Sequence, residues 1–333
     1  MRFFFIFICM LFRNLILILS SILVITSCCK EELATAFYTP KVNVYVSIDN
    51  KIQNGLEKDI NEHLLYNWSR EDGDLYYSHG PEKVHGNIAN LTDEETISRD
   101  FNVFSNNFFY LDYRKQYDLY LFNDSSMFTT CEHAELTKNF KFDNSYEPIK
   151  QCKEYYLGYS ETPLMFYNII EMYPISYIYI FQLVIYNDDD NIEMGAKSVD
   201  YFGLSGVSKK YDLSHFKPSD ELGVIESFKV KNIQYYEDYG VVAERFVTFG
   251  LGEDSNSSWN IEDNNCEFGV SIKMNDGSIK NGKINVTKQM IAKPNGGVIT
   301  ITVKNSNISI PNDINDLKVD VEEWENYEIY LDI

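Results

Sequence analysis

The stretch KVNVYVSID, residues 41–49, sets Val42, Val44, Val46 and Ile48 against Asn43, Tyr45, Ser47 and Asp49 in strict alternation. A helix would scatter these residues around its circumference, whereas a strand gathers the four aliphatics onto one face. Runs of the same character recur at YDLYLFN (117–123), SYIYIFQLVIY (176–186), VVAERFVTF (241–249), CEFGVSIKM (266–274), GKINVT (282–287) and GVITITVKN (297–305). Asp276-Gly277, Asn281-Gly282 and Asn295-Gly296-Gly297 punctuate the later runs, and such residues tolerate the positive φ of tight turns. SIKMNDGSIKNGKINVT (271–287) therefore reads as a hairpin. Helical pattern is scarce. LTDEETISRDF (91–101), with Thr92 as cap and Glu95 three residues on, predicts one short helix. Short strands separated by turn signals predict an all-β fold of sandwich type rather than a parallel α/β sheet.

Ahead of this body, Leu15 to Thr26 reads LILILSSILVIT, twelve residues without a charge. That is too short to cross a hydrocarbon core of ~30 Å as a helix. It suits the apolar region of a secretory signal peptide, with Arg13 before it and the start at either Met1 or Met10. One long membrane helix over 3–26 conflicts with Arg13-Asn14 at its middle, because a central Arg costs ~3 kcal/mol. The residues Ile25, Thr26 and Ser27 before Cys28 resemble a bacterial lipobox. Processing there would remove 1–27 and make Cys28 the lipid-attachment residue, and two or more acyl chains on it would anchor stably. The following Lys30-Glu31-Glu32 reads as a solvated linker, or as a short signal similar to the one that carries some Bacteroidota lipoproteins to the cell surface.

About 300 residues remain after such cleavage, which fits two domains of ~150 each. Loss of Arg2 and Arg13 would take the formal net charge from −21 to −23. A surface this acidic repels nucleic acid and anionic headgroups, so attachment would rest on lipid rather than charge. Among the remaining cysteines, Cys29, Cys131, Cys152 and Cys266, the pair Cys131–Cys152 is closest within one domain and is the disulfide candidate in an oxidising envelope. The expected organisation is a signal peptide over 1–27, a lipidated linker over 28–40, sandwiches over 41–172 and 173–311, and an acidic tail or edge strand over 312–333.

No catalytic or metal-binding pattern emerges, and no cofactor is expected. The five histidines show no metal spacing. GLSGVS (203–208) places Val207 where a nucleophile elbow needs Gly. GLGEDS (250–255) lacks the third glycine of a dinucleotide loop. Asp188-Asp189-Asp190 matches no calcium loop. An aromatic content of 15% leaves a sugar-stacking platform open as an alternative, with Trp68, Trp259 and Trp324 as the residues to inspect; aromatics also pack sandwich cores.

The lipobox, the Val-rich strand near residue 45, QYDLYLFND (116–124), YFGLSGVSKKYDLS (201–214) and FVTFG (246–250) occur in that order. INVTKQM (284–290) and VDVEEWE (319–325) complete the set. Together they resemble the FimB-like fimbrial anchor and accessory lipoproteins of Bacteroidota. That resemblance implies two tandem transthyretin-like Greek-key β-sandwiches, lipid-held in the outer membrane and facing outward. It implies fimbrial subunits as partners, engaged by β-strand complementation. A surface glycan-binding lipoprotein is the alternative. Residues 125–160 match nothing in the family pattern. Leu317, Val319 and Val321 alternate, as do Tyr327, Ile329, Leu331 and Ile333, so the tail is either a strand for another sheet or an edge strand of its own domain.

Overall fold

Val42, Val44, Val46 and Ile48 are all buried along β1 (Lys41–Ile48), as the alternation requires. The computed structural model describes residues 41–73, 75, 80–91, 95–112, 115–124, 134, 142, 146–160, 163–186, 195–213, 215–252, 266–304 and 329–332. After β1 come α1 (Lys51–His63), β2 (Lys83–Asn90), β3 (Thr96–Asn102), β4 (Ser105–Tyr110) and β5 (Tyr117–Phe122). Then follow β6 (Glu147–Ile149), β7 (Tyr156–Tyr159), β8 (Tyr167–Pro174), β9 (Tyr177–Tyr186) and β10 (Ala196–Ser208). Short pieces β11 (Tyr211–Asp212), β12 (Lys217–Pro218), β13 (Leu222–Ser227), β14 (Lys231–Asn232) and β15 (Gln234–Tyr235) lead to β16 (Tyr239–Thr248). The described chain ends with β17 (Glu267–Met274), β18 (Ile279–Asn285), α2 (Thr287–Ala292), β19 (Gly297–Lys304) and β20 (Ile329–Asp332). The fold class is the expected one, all-β.

Two local expectations are corrected. The helix predicted over 91–101 is absent from 96 onward, where the chain is β3 paired with β2; cross-strand pairing overrides the local cap spacing. Asn281-Gly282 lies inside β18, and the hairpin turns instead at Asp276-Gly277, with Gly277 at φ 86°. There Asp276 Oδ1 accepts from Ser278 N at 2.8 Å. Helix α1 has no side-chain cap and no acidic residue in its first turn to mark it in the sequence. Leu56 and Ile60, one turn apart, are its buried face, and Asp59 fixes it by accepting from Lys293 Nζ at 2.7 Å and Val298 N at 2.6 Å.

The chain forms two units that interleave in sequence. One comprises 41–47, Glu82–Leu121 and Gly158–Glu171; the other comprises Ile48–Pro81, Phe122–Leu157 and Met172 onward. A single division near residue 172 therefore does not separate them, because 48–81 and 122–157 pack with the later residues.

A seven-stranded sheet, ordered β3-β2-β5-β7-β8-β1-β4, builds the first unit. Its end strands β3 and β4 are joined only through Val103 and Phe104, so the sheet must curl until its ends approach. The curl encloses Val44, Val46, Ile88, Phe101, Leu119 and Leu121. Phe101 packs edge-on against Phe109 at 5.8 Å.

Two sheets make the second unit a sandwich. One runs β18-β17-β10-β13-β6, with β14 beside β10; the other runs β15-β16-β9-β19-β20. Across the interior Phe181 of β9 stacks on Phe268 of β17 at 4.6 Å, and Phe246 of β16 meets both rings edge-on at 5.8 and 6.3 Å. Fully buried Gln182 takes Leu65 N on its carbonyl (2.9 Å) and donates to His63 O and Thr300 Oγ1 (both 2.7 Å). Of the tail over 312–333, Ile329–Asp332 is described. It is an edge strand parallel to β19, with Ile301 opposite Ile329.

Candidate functional site

Sheet ends are where an extended partner can add, and the first unit's sheet has two. Among the described residues β3 pairs with β2 alone and β4 with β1 alone. Register assigns the faces of β3. Phe101 lies opposite Val84, Arg99 opposite Gly86 and Ile97 opposite Ile88. Val84, Gly86 and Ile88 are all buried, so Ile97, Arg99 and Phe101 share the core-facing side. Phe101 is fully buried, but Ile97 is 40% exposed and Arg99 is exposed. Among the described residues the core thus lacks cover at this end. Gly86 makes room for Phe101: a Cβ there would stand 2.3 Å from the Phe101 ring and 2.9 Å from Leu121.

Arg99 closes part of the gap by laying its guanidinium 5.2 Å from the centre of the Phe109 ring on β4, a cation–π contact. Asn107, also facing inward on β4, completes the join. Its side chain accepts from Asn102 N at 2.8 Å and donates to Asn102 O at 3.0 Å. A side-chain amide here supplies the hydrogen bonds that a neighbouring strand would otherwise give. Phe104 turns the link at φ 54° and donates its N–H to Val46 O at 2.7 Å.

The opposite face of β4 is apolar and open. Phe108 and Tyr110 are 49% and 70% exposed, and Lys41 Nζ lies 3.9 Å over the Phe108 ring. On β8, Tyr167 and Ile169 are likewise exposed, preceded by exposed Met165 and Phe166. Clustered exposure of this kind marks interaction surfaces rather than ordinary surface apolar residues.

Most of the residues singled out in the sequence fall where the structure gives no description. Cys28, Lys30, Glu31, Glu32, Cys131, Trp259, Trp324 and Asp188-Asp189-Asp190 lie outside the described residues. Cys152 is disulfide-bonded. Cys266 is a free thiol whose ionisation burial pushes far up. Trp68 is no platform: it packs against the core, donates Nε1–H to Gly73 O at 3.1 Å and sits 4.2 Å below Lys231 Nζ. Ser205 of the imperfect elbow is buried within β10. Among the described residues no cluster of His, Cys, Asp and Glu could hold a metal, and no helix is long and apolar enough to cross a membrane. The open end has no mark in LTDEETISRDF, whose cap spacing points to a helix although 96–102 is a strand. The alternation of exposed Phe108 and Tyr110 about buried Phe109 in NNFFYL was the available signal.

No family model matches the chain, and no curated protein matches it. Solved structures similar to it include a fimbrial anchor. This is Mfa2 from Porphyromonas gingivalis, at 10% identity over 79% of this chain and 90% of that one, with a TM-score of 0.37. Proteins provisionally described as adhesins are also similar. One from Bacteroides ovatus is 11% identical over 86% of this chain and 94% of its own, with a TM-score of 0.44. One from Bacteroides thetaiotaomicron is 8% identical over 80% and 92%, with a TM-score of 0.45.

Proposed function

We propose that this protein is an outer-membrane lipoprotein, attached through Cys28, that serves as a fimbrial anchor or accessory subunit and accepts a strand of a pilin subunit along β3. The observation that carries the reading is Ile97, an inward-facing residue left 40% exposed on a sheet end that has no further strand beside it among the described residues. An added strand would satisfy the outer backbone groups of β3 and cover Ile97, gaining main-chain hydrogen bonds and side-chain register together. Lys30-Glu31-Glu32 would route the lipoprotein to the cell surface, and Cys131 is the partner we assign to Cys152. We assign no catalytic role.

Outer membranes of the native host carrying the C-terminally tagged protein, dissolved in SDS without heating, should show this chain travelling with a second protein. Ile97→Asp places a charge in the groove and should abolish that band while leaving the amount of this chain unchanged. A band unaffected by Ile97→Asp, or no band for the unaltered chain, removes the strand-addition reading. Lipid attachment has its own test. Cys28→Ser should stop incorporation of labelled palmitate and release the chain from the membrane fraction; continued labelling would place the lipid elsewhere.

A further inference from the structure

The first unit is apolar at one end of its strands, and the pairing shows which residues meet there. Lys41, the first residue of β1, lies opposite Tyr110, the last of β4. On the other side of β1, Asn43 N donates to Phe166 O at 2.9 Å and Asp49 N to Met172 O at 2.7 Å. β8 therefore runs parallel to β1 and starts at this same end. β5 starts there too, since Leu164 N donates to Tyr117 O at 2.8 Å, and β2 ends there, since Leu91 N donates to Gln116 O at 2.9 Å.

Leu91, Tyr110, Met165 and Phe166, gathered by these bonds, are 53%, 70%, 64% and 66% exposed. One row further in, exposed Phe108 lies opposite Asn43 on β4, and exposed Tyr167 begins β8. Large apolar residues more than half exposed and drawn together from three separate segments form a patch, unlike apolar residues scattered singly over a surface. Tyr and Phe beside a Lys are also the side chains that settle at the headgroup level of a bilayer, where an apolar body and a wet tip are both satisfied. Glu95 and Asp112 stand at this end as well, so charge gives it no attraction to anionic lipid.

The tether decides what this end meets. Residues 29–40 are all that separates Cys28 from Lys41, and a fully extended chain of that length reaches about 45 Å at most. A lipid on Cys28 thus keeps the Lys41 end within that distance of the bilayer, where even weak insertion becomes an intramolecular event. We propose that this end rests on the membrane surface, with Leu91, Tyr110, Met165 and Phe166 dipping into the boundary between headgroups and acyl chains. Apolar contact then supplies a second signal beside the acyl anchor, independent of lipid charge. The inference rests on attachment through Cys28, and the test supplies that attachment chemically, so that the two can fail separately.

The processed chain with Cys29→Ser is coupled through Cys28 to a maleimide lipid in phosphatidylcholine vesicles, Cys266 being shielded by burial. Tyr110→Trp and Phe104→Trp each add one indole, the first at this end and the second at the β3–β4 link, beyond the opposite end of β4. Phosphatidylcholine brominated along its acyl chains should quench roughly half of the emission that Tyr110→Trp adds and little of what Phe104→Trp adds. Phe166→Asp, at an exposed position where folding should survive, should remove most of that quenching. Equal quenching of the two indoles, none for Tyr110→Trp, or quenching indifferent to Phe166→Asp overturns the proposal. Sedimentation of the uncoupled chain as a dimer that Phe166→Asp dissociates would give this end to a second copy and overturn it as well. Failure of palmitate labelling at Cys28 removes the anchor and with it this orientation in cells, whereas failure of quenching with labelling intact removes only the membrane contact.

Discussion

Replacing Lys231 by Met should lower the unfolding free energy by about 3–5 kcal/mol, the usual cost of removing one member of a buried ionic group. The Lys231 side chain is 4% exposed, with Nζ 3.0 Å from Glu244 Oε2, 3.3 Å from Asp72 Oδ1 and 2.8 Å from Ala243 O. Its charge also lies over the Trp68 ring. The side chains of Asp72 and Glu244 are 11% and 7% exposed, so the substitution leaves two carboxylates without the cation between them. Urea unfolding followed by circular dichroism measures the loss, and a change below about 1 kcal/mol would mean that water compensates the pair. The same cluster predicts two pH limbs.

Burial works against ionisation of Asp72, but hydrogen bonds from Ser69 and the nearby Lys231 together hold its carboxyl below the ordinary range. Stability from this group is therefore present above the unfolded carboxyl's range and is lost as pH falls through the folded value. Tyr66 shifts the other way. Burial, then the Asp72 charge, pushes its hydroxyl up to about 12. The folded state keeps its proton after the unfolded chain begins to lose one, so this contribution is complete below pH 10 and disappears by about 12. A Tyr66→Phe variant should lack the alkaline limb and retain the acid one.

Phe268→Ala should cost about 3–5 kcal/mol, the range for deleting a large ring from a packed core. Phe268 is fully buried and touches aromatic rings on three strands: Phe181 on β9, Phe246 on β16 and Phe202 on β10. It therefore joins the two sheets at their middle, and no neighbouring strand can move in without breaking its own register. Phe268→Leu retains most of the volume and should lose less than half as much. Equal losses for the two substitutions would show that ring geometry, rather than filled space, is what the core requires.

The strands that could be read from sequence are those whose pattern is self-contained. β1 alternates, while β9 is a nearly unbroken apolar run because neighbours cover both of its faces. What escaped depends on distant partners. Helix α1 carries Gly55 and no side-chain cap, and its position follows from Asp59 meeting Lys293 and Val298. The interleaving of units has no local mark, since the segment after α1 is held by Gln182 more than a hundred residues away. The inward side of β3 becomes visible only once its register with β2 is known, because Ile97 and Arg99 look like ordinary surface residues in isolation. The apolar end of the first unit draws Leu91, Tyr110 and Phe166 from segments far apart, and no spacing rule spans that distance.

The interleaving also governs the order in which a growing chain can fold. The first unit lacks a segment until residue 171 has emerged, and the second begins with residues 48–81 but needs strands from the last third. Helix α1, made early, thus carries Leu56 and Ile60 without a lasting cover until β19 arrives. Newly made chain must be kept from aggregating through most of its synthesis. Neither unit can be obtained by simple truncation, because any single cut deprives one of them of an interior strand or of its first helix.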